Sequence, residues 1–218
     1  MKHLHRDLDI LRERLLDLGG RVELAVRDAT GALFERDEAR ARKVVADECD
    51  IDLLEVRIEE ECLKILALHQ PVASDLRFVI TALKVDNDLE RMGDAAESIA
   101  ARALQLVVLP AVVIPKQFPP MVLAARGMTR KALDCLVRAD VALARQVLED
   151  DDVVDAEHRG IFAVLQEQMR RAPDQIEQCV LLLSVSRQIE RIADLATNIA
   201  EDVIFLHEGE IVRHKRAT

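Results

Sequence analysis

Apolar residues recur at spacings of three and four along almost the whole chain. Ile189, Ile192, Ala196, Ile199, Val203 and Leu206 form one such stripe, the pattern of a helix that buries one face. Prolines punctuate the pattern. Four of the six lie in VVLPAVVIPKQFPP, between Pro110 and Pro120, and Pro71 and Pro173 each follow one long helical run and precede another. Read with those breaks, the chain predicts helices over 3–36, 38–69, 72–108, 117–139, 141–171 and 174–208. Gly19-Gly20 falls inside the first and is a candidate kink. A run of about thirty residues makes a rod of about 45 Å. Three rods joined by short turns bury their stripes only against one another. The expected fold is therefore all-α, with two tandem, pseudo-symmetric, antiparallel three-helix bundles. The first covers residues 1–109, a Pro-rich linker covers 110–119, and the second bundle covers 120–218.

Pseudo-symmetry is visible in the residues themselves. Leu89–Ala100 (LERMGDAAESIA) and Ile189–Ala200 (IERIADLATNIA), 100 positions apart, are identical at six of twelve places, Glu90/Glu190, Arg91/Arg191 and Asp94/Asp194 among them. Upstream the offset is 103: Asp37-x-Ala39-x-Ala41-Arg42-x-Val44 matches Asp140-x-Ala142-x-Ala144-Arg145-x-Val147, which sets Glu48 against Asp151 and Asp52 against Asp155. A small difference in loop length near Pro71 and Pro173 would absorb the change of three.

Composition narrows the function. The chain has no Trp or Tyr, five Phe and a formal net charge of −10, which disfavours a phosphate-backbone binder and leaves no row of aromatics for base stacking. Nucleic acid is not an expected partner. Four widely spaced cysteines without a C-x-x-C favour a reduced, cytoplasmic chain. The charged N-terminus does not read as a signal peptide, and the longest apolar stretch, Leu106 to Ile114, is too short to span a bilayer. The signatures of P-loop nucleotide sites, zinc proteases and serine hydrolases are missing, and no nucleophile–base pair stands out.

The chemistry that remains is acidic. Asp86, Glu90, Asp94 and Ser98 are spaced by four on the third helix, with Glu97 adjacent, and Ser186, Glu190, Asp194, Asn198 and Asp202 repeat the spacing on the sixth. The second helix offers Glu48, Asp52, Glu55 and Glu59; the fifth offers Asp151, Asp155 and His158. Like charges one turn apart destabilise a helix by a few tenths of a kcal/mol per pair. Arginine partners such as Arg91 and Arg191 are one remedy, and a cation suited to carboxylate oxygens is the other. His3, His5, His207 and His214, near the termini, and the basic run Arg213-His214-Lys215-Arg216 read more simply as solvated tails.

These residues resemble the PhoU-type regulators of bacterial phosphate uptake. Leu18-Gly19-Gly20-Arg21-Val22-Glu23 is similar to that family's first-helix signature, and Gln70-Pro71-Val72-Ala73-Ser74-Asp75-Leu76-Arg77 to its second turn. Leu89-Glu90-Arg91-Met92-Gly93-Asp94 and Ile189-Glu190-Arg191-Ile192-Ala193-Asp194 are similar to its paired E-R-[IM]-G-D motifs. The resemblance implies metal clusters, iron or zinc, on the acidic motifs, with Glu48, Asp52, Glu90 and Asp94 as ligands in the first half and Asp151, Asp155, Glu190 and Asp194 in the second. It implies a non-enzymatic adaptor that links the phosphate ABC transporter ATPase to a membrane sensor histidine kinase and holds starvation signalling off. Such an adaptor is peripheral to the membrane through its partners, with a homodimer as the expected assembly. Ala193 departs from the family's Gly and puts the second site in question. The competing reading is a ferritin-like di-metal oxidoreductase, which wants paired Glu-x-x-His motifs; the chain offers only Asp155-x-x-His158.

Overall fold

Both halves begin their long second helix in the same way, and the duplicated sequence says why. In the computed structural model, which describes residues 2–209, α1 spans Lys2–Glu35 and α2 spans Glu38–His69. α3 spans Ala73–Val108, α4 Phe118–Arg138, α5 Val141–Arg171 and α6 Ile176–Glu208. Asp37 caps α2 by accepting from the Arg40 N–H at 3.0 Å, and Asp140 caps α5 by accepting from the Leu143 N–H at 3.0 Å. Each cap satisfies an orphan donor of the first turn. The residue before each cap, Arg36 or Ala139, turns the chain in the left-handed region (φ 53° and 57°). Arg36 also donates through Nη2 to the carbonyls of Leu106, Val107 and Leu109, which ties the first corner to the end of α3.

Helix limits match the pattern of prolines and apolar stripes to within a residue or two, and no strand occurs among the described residues. α1 runs through Gly19-Gly20 without interruption. Gly19 serves packing instead: a β-carbon there would run into Cδ2 of Leu133 on α4, so its absence lets the two halves approach. The change of offset between the halves falls at the expected place. Residues 70–72 join α2 to α3, whereas Ala172 alone separates α5 from a 3₁₀ turn, Pro173–Gln175, that leads into α6. His3, His5 and His207 lie within α1 and α6, not in tails, while His214 and the basic run 213–216 fall outside the described residues.

α3 and α6 form the centre. α3 packs on α1 and α2, α6 on α4 and α5, and the two pack extensively on each other. The buried apolar residues of both halves join into one core, which includes Leu89, Met92 and Ile99 from α3 and Ile189, Ile192 and Ile199 from α6. Among the described residues α2 touches only α1 and α3, and α5 only α4, α6 and the 3₁₀ turn. The seams between α2 and α3 and between α5 and α6 are therefore peripheral, and the acidic motifs lie on them. No described helix is long and apolar enough to cross a membrane.

Candidate functional site: an acidic seam between α2 and α3

Along the first seam the structure gathers carboxylates from both helices. Glu48 is half-buried and its carboxyl shares a hydrogen bond with Asp52. Burial, that bond and the charges of Asp52, Glu97 and Asp94 push Glu48 up to about 7. Glu90 is raised by burial and then by Asp94, Glu55 and Asp52; Arg91 opposes this, as the smallest of the named influences. Glu55 is raised by burial and by Glu59 and Asp52. These mutual effects place Glu48, Asp52, Glu90 and Asp94, the four ligands implied for the first half, in one electrostatic neighbourhood.

Arginine compensates only weakly, Arg91 being the smallest of the influences on Glu90. Arg91 reaches back to Asp88 at 3.4 Å. One turn along α3, Asp86 is 1% exposed and neither of its oxygens meets a hydrogen-bond donor among the described residues. Burial, followed by the charges of Glu55, Glu59 and Glu90, pushes it up to about 8. An unpaired buried carboxylate is costly, and it recruits a proton or a cation. An all-oxygen donor set with an orphaned buried carboxylate fits a hard cation. Among the described residues no three His, Cys, Asp or Glu side chains are already closed into a ligand set, so this is an open acidic face, not a preformed cage.

The second seam differs. Asp151 is 5% exposed, Glu190 is half-buried and Asp194 is exposed. Asp155 pairs with Arg159 at 3.5 Å. His158 Nδ1 lies 2.7 Å from Ser186 Oγ. Ala193 is fully buried and accommodated. Its counterpart Gly93 faces Ile51 on α2, whose Cγ2 and Cδ1 would lie 3.1 and 3.2 Å from an added β-carbon. The position equivalent to Ile51 is Val154, also fully buried and one methylene shorter. Bulk lost on one helix accompanies bulk gained on the other. We expect Gly93→Ala to destabilise the protein by about 1 kcal/mol despite its better helix propensity. Ile51→Val in the same chain should recover most of that, read as non-additivity in urea midpoints; strictly additive effects would contradict the packing described.

Asp86 belongs to the stripe visible in the sequence, but its burial does not show there. The signal within reach was the alignment at offset 100, which pairs it with the neutral Ser186.

Comparison with known proteins agrees with the architecture. The family model described as PhoU domain matches twice, at residues 15–103 and 119–203. A phosphate-specific transport system accessory protein PhoU homolog of Pseudomonas putida is 39% identical over 98% of this chain and 84% of its own length. The crystal structure of PhoU from Pseudomonas aeruginosa superposes with a TM-score of 0.90 at 37% identity, covering 94% of this chain and 99% of that one. The phosphate transport system regulatory protein PhoU from Streptococcus pneumoniae gives 0.86 at 29% identity, over 96% and 99%. Accessory and regulatory are the words in these names, and none of them names an enzyme. Two family matches, one in each half, and relatives alike over nearly the full length establish that the chain belongs to the PhoU family.

Proposed function

We propose that the protein is a non-enzymatic regulatory adaptor of phosphate uptake, joining the phosphate ABC transporter ATPase to a sensor histidine kinase and keeping phosphate-starvation signalling off when phosphate is plentiful. The observation that carries this reading is the near-complete match, across both halves, to relatives named as accessory and regulatory proteins of the phosphate transport system. The acidic seam supports it, because a peripheral face of like charges suits docking and ion capture.

In this reading Glu48, Asp52, Glu90 and Asp94 hold metal on the first seam, and Asp151, Asp155, Glu190 and Asp194 do so on the second with less charge converging. A bound cation supplies positive charge that neutralises the carboxylates and fixes the face a partner meets. Oxygen-only donors favour hard ions, iron included, over zinc, which more often takes nitrogen or sulfur. Glu48 and Asp52, which share a hydrogen bond on α2, would offer their oxygens to such an ion from one side, and Glu90 and Asp94 on α3 from the other.

Deleting the gene tests the role. The starvation response is expected to stay on in phosphate-rich medium, and purified protein should retain the transporter ATPase and the kinase's cytoplasmic domain in pull-downs. A response that still shuts off, with neither partner bound at high or low phosphate, contradicts the proposal.

A further inference from the structure

The two halves differ most sharply in chemistry around position 86. In the second half the equivalent positions are Ser186 on α6 and His158 and Phe162 on α5, and the slot holds no carboxylate. Ser186 is fully buried; His158 Nδ1 lies 2.7 Å from its Oγ, and the Met121 sulfur 3.6 Å away. Phe162 stands outside, half exposed. In the first half the same three positions are Asp86, Glu55 and Glu59. All three are acidic. Asp86 is sealed from solvent with neither oxygen meeting a donor, Glu55 is half-buried, and Glu59 is exposed and free to swing on its flexible stem.

The groups facing Asp86 make its isolation sharper. They are Glu55, Glu59 and Glu90, which raise it further, and the buried Cys62, whose thiol Asp86 helps push up to about 12. None of these is a cation. A carboxylate in such a place is stabilised by taking up positive charge, and oxygen donors of this kind select hard ions.

We propose that the first half carries an additional subsite for a hard divalent cation, which the second half lacks, with Asp86 as its fixed inner ligand and Glu55 and Glu59 closing over it from α2. The proposal extends the metal reading of the seam, but its ligands are not those of the Glu48, Asp52, Glu90 and Asp94 set. It makes the two halves unequal: at saturation the first holds one ion more.

Manganese is a suitable probe. Equilibrium dialysis of the full chain against MnCl2, with free Mn2+ read by electron paramagnetic resonance, compares wild type with Asp86→Ser, which installs the second half's residue. The expected result is one Mn2+ fewer per chain in Asp86→Ser, with the fold verified by circular dichroism. Glu55→Gln, a milder change near the surface, should weaken that same ion about tenfold. Asp52→Asn/Asp94→Asn should retain the Asp86-dependent ion while losing others. Equal stoichiometry and affinity in wild type, Asp86→Ser and Glu55→Gln, with loss in Asp52→Asn/Asp94→Asn, would overturn the subsite and leave the seam reading standing. No Mn2+ uptake by wild type at millimolar concentration would overturn both.

Discussion

Asp86→Ser raises the melting temperature of the chelator-treated protein by about 5 °C at pH 8 and by far less at pH 5. The cause is the isolation of Asp86 inside α3, where its folded value of about 8 stands well above the ordinary 3.8. Between roughly pH 4 and pH 8 the folded chain holds a proton that the unfolded chain has released. Stability therefore falls as pH rises through that window, and the group's contribution, complete below about 4, is gone above about 8. Each unit of difference is worth about 1.4 kcal/mol. Relaxation of the surroundings leaves about 2 kcal/mol of this, which is about 5 °C for a chain of this size. Glu48 adds a second decline up to about pH 7, but it does so in both proteins and leaves their difference intact. Serine is accommodated at the equivalent position 186, fully buried. Melts between pH 5 and pH 8 in excess chelator provide the check. Parallel pH profiles would show that Asp86 already has a partner.

Lys84→Met lowers stability by about 2–3 kcal/mol. Lys84 Nζ on α3 lies 3.1 Å from Oδ1 of Asp202 on α6, and 5.2 Å from the centroid of the Phe205 ring. Asp202 is 2% exposed, whereas the lysine side chain retains 40% of its exposure. Removing one partner of a buried ion pair costs about 3–5 kcal/mol, because the remaining charge stays in low dielectric; the open side of Lys84 brings the figure down. The pair spans the central contact between the halves, so the loss falls on the α3–α6 interface. Lys84→Met/Asp202→Asn should recover much of the stability, since position 202 then carries no buried charge. Urea denaturation measures both. A single variant within about 0.5 kcal/mol of wild type would mean that this pair does not hold the halves together.

The helical plan was legible because each of its determinants is local. Apolar spacing sets the buried face and prolines set the breaks; that the aligned Asp37 and Asp140 are twin caps shows only in the structure. The offset change was legible too, and it proved to be the longer connection at residues 70–72. Gly19-Gly20 was less transparent. Nothing in the local sequence distinguishes a kink from a close approach, and only Leu133 arriving from α4 decides it. The same holds for Ala193, whose accommodation accompanies a Val at position 154 on another helix.

The acidic seam was half legible. Spacing by four puts Glu90 and Asp94 on nearly one face, but each step of four advances about 40° around a helix of 3.6 residues per turn. Two steps turn Asp86 about 80° away from Asp94 and into the interior. A row that looks continuous in sequence thus passes from surface to core. Asp151 is likewise buried while Asp194 on the partner helix is exposed, so equal spacing did not make the two seams equal.

On the proposed function the α2–α3 seam is a cation-binding face. Diffraction from crystals grown with MnCl2, collected at a wavelength where manganese scatters anomalously, tests it most directly. Anomalous peaks are expected within coordination distance of Asp52, Glu90 and Asp94, with a further one at Asp86 and none at Ser186. Peaks absent from that seam, with its carboxylates paired to lysine or arginine instead, would contradict it.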